Sequence, residues 1–468
     1  MGMERLPRLS KTVAASYNEM GRQRPATAFP FEVKTMLTVA KFGGSSLASA
    51  ERFLRVREIV RADASRRVVV VSAAGKRHAA DHKITDLLYL CHAHLQYGVP
   101  CWELWRMIAG RYTAIRDGCG LRFPIERELE AIYASLSPAT PRDFLASRGE
   151  YLAARLMAEL LEFTFVDAAD WLRFDSAGNV LREASYAALR SLADGRKIVT
   201  PGFYGLLPSG AVHTFPRGGS DVTGSLAAAA LHVDVCENWT DVPGILAADP
   251  SVVSRPQSVP YLSYAELQAL SAVGMQVLHE SAVEPVRRRR IPLQIRSSLE
   301  PELPGTCIGP EPAEKNEKNE AAVFAGRRSI TMLRAERQGL VVKEYINNMP
   351  ELLAAAARTL VRAGLSVVHL SCGLGQLTAL VEPSGTDALH AAGEALAGAL
   401  GAEETTLREN LSLIAALCRT PETAPRLAAA IQSAGVPIHH IAERAPCLLM
   451  AVNDSQYETA LRAAYRAR

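Results

Sequence analysis

Residues 214–224 read Thr-Phe-Pro-Arg-Gly-Gly-Ser-Asp-Val-Thr-Gly, and a helical pattern of small residues continues to Leu231. This stretch places a cation (Arg217), two glycines, a hydroxyl (Ser220) and a carboxylate (Asp221) within five residues. Glycines let backbone N–H groups approach an anion closely, and the start of a helix adds the positive end of its dipole. The stretch therefore predicts a site for phosphates or carboxylates. Neither the P-loop nor the dinucleotide fingerprint occurs in the sequence.

A second glycine turn lies far upstream, in residues 37–46 (Leu-Thr-Val-Ala-Lys-Phe-Gly-Gly-Ser-Ser). The pattern predicts a short buried strand ending near Lys41, a glycine turn, and a helix from about Ser49. A lysine at the tip of a strand beside glycines is well placed to neutralise phosphoryl oxygens. One such turn alone is typical of a tight, solvated connection. Two turns, each with its own cation and its own helix, indicate an anion site.

Apolar β-branched runs alternate with helical patterns through about the first 300 residues. Such alternation predicts an α/β fold, a largely parallel sheet between helical layers, with ligands at the carboxyl ends of the strands. Residues 92–143 look like a helical insertion with an apolar stripe at Trp102, Trp105 and Tyr112. The strand candidates are Val68–Val71, Phe163–Asp167, Lys197–Thr200, Val235–Trp239 and Leu293–Ile295, and the helix candidates are Phe144–Glu162 and Ser263–Leu278.

The remaining third of the chain has a different organisation. Residues 309–326 contain a charged stretch with two prolines, Pro310–Glu320, which predicts a linker. Residues 327–400 and 401–468 then follow the βαββαβ plan of small ferredoxin-like α+β domains. In the first of them we expect a strand at Leu340–Lys343 before the helix Glu351–Ala363.

Residues 1–34 are basic and lack the apolar segment of a signal peptide, so we expect a flexible N-terminal extension and no secretory signal.

Several motifs together resemble the aspartate kinases, members of the amino-acid kinase superfamily. They are Lys41–Ser46, Val69–Ala74, Thr85–Leu88, Ser147–Glu150, Arg217–Asp221, Trp239–Gly244 and Gly274–His279. The resemblance covers roughly residues 37–300. It implies an amino-acid kinase domain at 35–308 and two C-terminal ACT-like domains, which in this family bind effector amino acids. It also implies a cytoplasmic enzyme that forms homodimers through these domains.

The resemblance implies transfer of the ATP γ-phosphoryl group to the side-chain carboxylate of L-aspartate, with Mg²⁺. The product, L-4-aspartyl phosphate, begins lysine, threonine and methionine biosynthesis. Lys41 and Asp221 would be catalytic, and no protein-held metal is expected. The substrate residues would be Ser72, Thr85, Glu150, Arg217 and Ser220. The nucleotide residues would be Lys41, Gly43, Gly44, Ser45, Thr240, Asp241, Leu246 and Gln276.

Three positions in the nucleotide half depart from the family pattern. Leu246, Ser251 and Gln276 stand where many members have Tyr, Arg and Lys. Arg255 or the run Arg287–Arg290 could replace the two missing cations. The stretch Ile441–Leu449 also lacks the polar residues that hold an effector in other members, so feedback inhibition by lysine or threonine is not expected from it.

Composition excludes several other classes of protein. The formal net charge is +3, too small to argue for nucleic acid or a membrane surface as a partner. The eight cysteines are scattered without metal-ligand spacing, which is typical of free thiols. Two alternatives stay open: a kinase for another small carboxylic acid, and a catalytically weak paralogue that acts as a regulatory or amino-acid-sensing partner.

Overall fold

A computed structural model of the chain describes residues 36–216, 218–275, 278, 280–311, 322–337, 342–373 and 375–468. The predicted N-terminal extension, residues 1–34, lies outside this range. Residues 36–468 form one compact unit.

The amino-terminal part is built on a sheet of eight strands in the order β3-β4-β2-β1-β7-β9-β10-β8. The first six strands in this order run parallel, β10 is antiparallel to β9, and β8 is parallel to β10. Strands β5 and β6 form a separate hairpin. The bounds are β1 Thr38–Phe42, β2 Arg66–Val71, β3 Thr164–Phe165, β4 Ile198–Pro201, β5 Tyr204–Leu206, β6 Val212–Thr214, β7 Val235–Thr240, β8 Tyr261–Ser263, β9 Leu293–Ser297 and β10 Thr306–Gly309.

Helices cover both faces of this sheet because its central strands are apolar on both sides. Val39, Val68 and Val70 face α6–α10, and Phe42 and Val71 face α1–α5. The predicted α/β architecture is confirmed. The helices are α1 Ala50–Arg61, α2 Ile84–Gln96, α3 Trp102–Gly118, α4 Ile125–Ala134, α5 Arg142–Leu161, α6 Ala168–Trp171, α7 Arg182–Ala193, α8 Gly219–Leu231, α9 Tyr264–Ser271 and α10 Glu280–Arg289.

The carboxy-terminal part is an antiparallel sheet in the order β12-β13-β11-β14-β16-β15. This α+β sheet is consistent with the predicted pair of ACT-like domains. Its strands are β11 Val323–Glu336, β12 Val367–Gly373, β13 Gln376–Val381, β14 Glu404–Leu417, β15 His440–Arg444 and β16 Cys447–Asn453. Its helices are α11 Val342–Arg362, α12 Thr386–Leu400, α13 Thr423–Ser433 and α14 Tyr457–Arg466.

The two long strands β11 and β14 are shared by both halves of this sheet. Each is interrupted near its middle by a residue in the left-handed region, Ser329 at φ 57° and Asn410 at φ 55°. Beyond the interruption, the second half of β11 packs under α11 and α12, whereas its first half packs with α13 and α14. β11 and β14 pair in antiparallel orientation, from Val323 opposite Leu417 to Glu336 opposite Glu404.

Two predicted elements are wrong in part. Val342 and Lys343, expected in a strand, begin α11; residues 338–341 lie outside the described range. The helix continues through Pro350, where a proline usually marks a boundary. The helix expected at Ser263–Leu278 ends at Ser271, because Gly274 adopts φ 120°, which no helix contains.

The predicted linker is also shorter in the structure than in the sequence pattern. β10 extends to Gly309 and β11 begins at Val323, with Ala322 already buried. Residues 312–321 lie outside the described range.

The helical insertion consists of α3 and α4. Trp105 and Tyr112 of its apolar stripe are buried, but Trp102 is 50% exposed. Across the described ranges, no helix combines the length and the apolar character needed to cross a membrane.

Candidate active site

The predicted motifs converge because parallel strands end at the same edge of a sheet. β1 ends at Phe42, and its neighbours β2 and β7 end beside it. The turns that follow are hydrogen-bonded to one another: Gly43 N donates to Trp239 O at 3.0 Å and Ser72 N donates to Phe42 O at 3.1 Å. This edge therefore collects the residues that follow three different strands.

Lys41 lies at the centre of this edge and is 7% exposed. Its Nζ forms an ion pair with Asp221 Oδ1 and donates to Asn238 Oδ1 at 3.1 Å. Asn238 Nδ2 in turn donates to Asp221 Oδ1 at 3.0 Å. The three side chains form a closed triangle that fixes the ammonium group over the turn after β1, where a Cβ on Gly43 would lie 3.5 Å from Nζ.

The turns after β1 and β2 cross at very short range. A Cβ on Gly44 would lie 2.8 Å from Ala73 O, and a Cβ on Gly75 would lie 2.6 Å from Gly44 C. Gly75 N donates to Gly44 O at 2.8 Å. The glycines are needed here because any side chain would push the two turns apart. Ser45, next in the turn, is half-buried, and its carbonyl accepts from Arg52.

The stretch at 214–224 forms the start of α8, as predicted. Gly218 precedes the helix in the left-handed conformation, at φ 58°. Ser220 and Asp221 occupy the first turn, and a Cβ on Gly202, after β4, would lie 2.6 Å from Ser220 Cβ. This contact brings the end of β4 to the same edge. Arg217 lies outside the described residues.

Glu150 of α5 is a buried carboxyl group, 5% exposed. Its Oε2 has no hydrogen-bond partner within the described ranges. Burial raises the pKa of Glu150 to about 8, against the opposing effects of hydrogen bonds from the Ala73 and Glu150 backbone N–H groups and of the Arg148 charge. A buried carboxyl oxygen without a partner suits a cationic group of a ligand.

Ser72 and Thr85 lie on segments that pack against the same part of α5. A Cβ on Gly149 would lie 2.7 Å from Ala73 Cβ and 3.4 Å from Ile84 Cγ2. Ile84 N, at the start of α2, donates to Ala74 O at 3.1 Å. The structure thus gathers Ser72, Thr85 and Glu150 on one side of Lys41.

On the other side of Lys41 a cavity of about 520 Å³ opens. Thr240 and Leu246 line it together with Lys41, Asp221 and Asn238. Asp241 is exposed at its edge and accepts from Thr240 Oγ1 at 3.1 Å. Gln276 lies outside the described residues.

The two candidate replacements for the missing cations do not reach this cavity. Arg255 is exposed, as is the run Arg287–Arg290 at the end of α10. Among the described residues that line the cavity, Lys41 is the single cation. Ser251 bonds to Asp249 Oδ1 through both its N–H and its hydroxyl.

The sequence pattern did not mark Asn238, nor a buried ion pair beside the turn after β2. Asn238 is a polar residue inside a buried strand, a signal that could have marked it. Arg111 of α3 pairs with Asp81 at 2.6 Å and donates to Gly75 O at 2.8 Å. Hydrogen bonds from Arg77 and the charge of Arg111 hold the pKa of Asp81 well below its usual range. These residues lie 30 positions apart, so no local pattern connects them.

Comparisons with known proteins agree with this arrangement. The model of the amino acid kinase family matches residues 36–297. Aspartokinase 3 of Bacillus subtilis is 30% identical over 454 residues, which are 92% of this chain and 98% of that protein. The crystal structure of Clostridium acetobutylicum aspartate kinase is 32% identical, with a TM-score of 0.79, over 92% of this chain and 99% of that chain.

A further solved structure, Escherichia coli aspartokinase III in complex with aspartate and ADP, is 26% identical with a TM-score of 0.68. It is matched over 92% of this chain and 99% of that chain. A family model that covers more than half of the chain and a relative matched along almost its whole length lead to one conclusion: the chain belongs to the amino acid kinase family and, within it, to the aspartokinases.

Proposed function

We propose that this chain is an aspartate kinase that transfers the γ-phosphoryl group of ATP to the side-chain carboxylate of L-aspartate. The observation that carries the proposal is the position of Lys41. Its ammonium group is fixed by Asp221 and Asn238 between a buried carboxyl group on one side and a cavity on the other. This is the place where two anionic substrates would meet.

The reaction requires charge neutralisation more than acid–base chemistry. The side-chain carboxyl of free aspartate has a pKa of about 4, so it is an ionised nucleophile at neutral pH. One of its oxygens bonds to the γ-phosphorus while the bond from that phosphorus to the bridging oxygen breaks. ADP departs with the electron pair, and no proton is transferred. The enzyme must hold the two anions in line and neutralise the charge on the transferring group.

Lys41 is the catalytic cation in this proposal. Two of its ammonium N–H directions are taken, within the described part of the chain, by Asp221 and Asn238. The third can point to a phosphoryl oxygen, since an ammonium group has three donors. Asp221 acts by orienting the ammonium, and the N–H groups around Gly43, Gly44 and Ser45 would line the phosphate path.

The residues proposed to bind aspartate include one acidic, one basic and three hydroxyl side chains. Glu150 would hold the α-ammonium of aspartate, which supplies the hydrogen-bond donor that Glu150 Oε2 lacks among the described residues. Arg217 would pair with a substrate carboxylate through its two-pronged guanidinium. Ser72, Thr85 and Ser220 would donate or accept hydrogen bonds around the same molecule.

The nucleotide would occupy the cavity beyond Lys41, with Thr240, Asp241, Leu246 and Gln276 around it. Mg²⁺ is held mainly by phosphate oxygens, a few carboxylates and water. The Asp241 carboxylate at the cavity edge suits such an ion, whereas Asp221 is already paired with Lys41. The ion would screen charge on the phosphates when it is bound.

We place the catalytic domain at residues 35–308, a connecting segment between Gly309 and Val323, and the division between the two ACT-like units near residue 400. These units share β11 and β14. We also propose that they join two chains into a homodimer.

Hydroxylamine trapping of the acyl phosphate tests the proposed reaction directly. Wild-type protein with ATP, Mg²⁺ and L-aspartate should give hydroxamate, and Lys41→Ala should give less than about one hundredth of it, since a lost charge at the transferring group costs several kcal/mol. Lys197→Ala, which removes an exposed lysine just before β4, serves as the matched control. Hydroxamate with glutamate but not aspartate would identify another acid as the substrate. A folded wild-type protein with no product would leave the regulatory-paralogue alternative.

A further inference from the structure

The segment that borders the cavity, residues 244–258, is anchored to the carboxy-terminal sheet; we call it the cavity loop. Phe324 N, on β11, donates to Ala247 O at 2.8 Å. Arg462 Nε, on α14, donates to Val252 O at 2.9 Å, and Gln257 N donates to Tyr465 Oη at 2.9 Å. Three hydrogen bonds from two elements of the second ACT-like unit thus fix its backbone.

Apolar packing reinforces these hydrogen bonds. Ala248, Val252 and Val253 of the cavity loop are buried in the same cluster as Phe324 and Leu461. The loop therefore contributes to the hydrophobic core of the second ACT-like unit rather than only touching its surface. Movement of α14 would have to move the loop or expose these side chains.

A second segment that borders the cavity is equally close to β11. A Cβ on Gly274 would lie 3.0 Å from Gly326 O, and a Cβ on Gly326 would lie 1.7 Å from Tyr457 Oη. Gly274, Gly326 and Tyr457 are thus stacked with no room for another methyl group. The glycines permit this approach, and Gly274 also needs its φ of 120°.

The same residues form part of the cavity wall. Phe324, Gly326, Tyr457 and Leu461 line the cavity that Lys41 also lines. On the opposite side, three of the residues assigned to aspartate, Ser72, Thr85 and Glu150, lie in the turn after β2, on α2 and on α5. The contacts described above do not involve these elements.

We propose that the second ACT-like unit is a structural part of the nucleotide site, with Arg462 and Tyr465 as positioning residues that act through the cavity loop. This inference rests on the assignment of the cavity to the nucleotide in the proposed function. Loosening α14 would weaken nucleotide binding and leave aspartate binding unchanged.

The test compares the double variant Arg462→Ala/Tyr465→Phe with Arg466→Ala, which removes an exposed arginine one turn further along α14. Calorimetric titration gives the Kd for ADP, and initial rates of hydroxamate formation give KM for ATP and for aspartate. We expect the Kd for ADP and the KM for ATP to rise about five- to tenfold, because two hydrogen bonds are lost. The KM for aspartate should stay within about twofold, and Arg466→Ala should match wild type in all three.

Either of two results would overturn the inference. One is an unchanged Kd for ADP in the folded double variant. The other is an equal rise of both KM values, which would indicate general structural damage. If wild-type protein binds ADP and the double variant binds it more weakly, but aspartate gives no hydroxamate, the inference stands while the proposed acceptor is wrong. Tyr457→Phe, which keeps the ring in the wall, gives a second measurement should the double variant be unstable.

Discussion

At the scale of single residues, the proposed chemistry depends most on two side chains. Lys41 provides a positive charge whose position depends on Asp221 and Asn238. Glu150 provides a carboxyl group that burial keeps protonated to unusually high pH. The sequence alone marked Lys41 and Asp221 as functional, but not that they pair. That contact joins residues 180 positions apart and needs β1 and α8 to be adjacent in the fold.

Replacing Asn238 with alanine should reduce turnover rather than substrate binding. Lys41 Nζ loses an acceptor and Asp221 loses a donor, so the ammonium is held less precisely. We expect kcat to fall about tenfold, equivalent to roughly 1.4 kcal/mol, with KM for aspartate nearly unchanged. Steady-state kinetics measures both values. Asn179→Ala, in an exposed turn, is the control, and an unchanged kcat in N238A would refute the role of the triangle.

Glu150 should make stability depend on pH in a direction opposite to most carboxylates. Its pKa rises from 4.5 to about 8 on folding, so between these values the unfolded state loses a proton that the native state keeps. Wild-type stability therefore falls as pH rises through this window, by at most about 1.4 kcal/mol per pH unit from this group. Glu150→Gln lacks the effect. Urea unfolding at pH 5 and pH 8 measures the free energy of unfolding of both proteins. The value for E150Q relative to wild type should be higher at pH 8 than at pH 5. An equal difference at both pH values would contradict the raised pKa of Glu150.

The raised pKa of Glu150 also predicts that aspartate binding releases a proton. Pairing with the α-ammonium of aspartate stabilises the charged form of Glu150 and lowers its pKa. At pH 7, aspartate binding to wild-type protein should release up to about one proton. Titration calorimetry in two buffers with different ionisation enthalpies measures this number. E150Q should release none, and equal release from both proteins would exclude Glu150 as the source.

At the scale of elements, the parallel strands and the turns after them could be predicted because short apolar runs and glycines are local signals. The strand expected at Leu340–Lys343 is wrong at Val342 and Lys343, which belong to the long helix α11 that extends through Pro350. The sequence also could not predict that the two ACT-like units share β11 and β14, because the two strands pair with each other across a long separation in sequence. Local patterns locate elements well, but they do not show which elements share a strand.

The buried pair formed by Arg111 and Asp81 shows how an element outside the site supports it. Arg111→Leu would leave Asp81 buried with Arg77 as its remaining cation and would free Gly75 O. We expect the free energy of unfolding to fall by about 3 kcal/mol. The KM for aspartate should also rise, because Gly75 belongs to the turn after β2 that begins at Ser72, one of the proposed aspartate residues. Urea unfolding and kinetics measure these effects. Arg106→Ala, exposed on the same helix, should change neither; a loss below about 1 kcal/mol in R111L would show that the pair is dispensable.

At the scale of the whole molecule, the hydrophobic core is continuous between the catalytic part and the carboxy-terminal sheet. Leu267 and Leu270 of α9 belong to the same buried cluster as Leu411 and Leu449. The ion pair between Arg419 and Glu266, at 2.8 Å, spans the same junction. Such a core favours unfolding as one cooperative unit, unlike domains joined only by a linker.

Calorimetry should therefore show a single unfolding transition for both parts. Leu449→Ala, at a fully buried position in β16, should shift the entire transition to lower temperature, with a loss of about 3 kcal/mol. Val361→Ala, at an exposed position on α11, is the control. Two resolved transitions, with only one moved by L449A, would show that the parts unfold independently.

The anchoring of the cavity loop also has a consequence for synthesis on the ribosome. Arg462 is 210 residues downstream of Val252, the residue whose carbonyl it holds. At about 5 to 20 residues per second, roughly 10 to 40 s pass between the appearance of the loop and that of its anchor. The last strands of the catalytic sheet, β9 and β10, are synthesised within the first third of that interval. The wall of the cavity is completed only when α14 arrives. On the proposed assignment of this cavity, a nascent chain would gain its full affinity for nucleotide late in its synthesis.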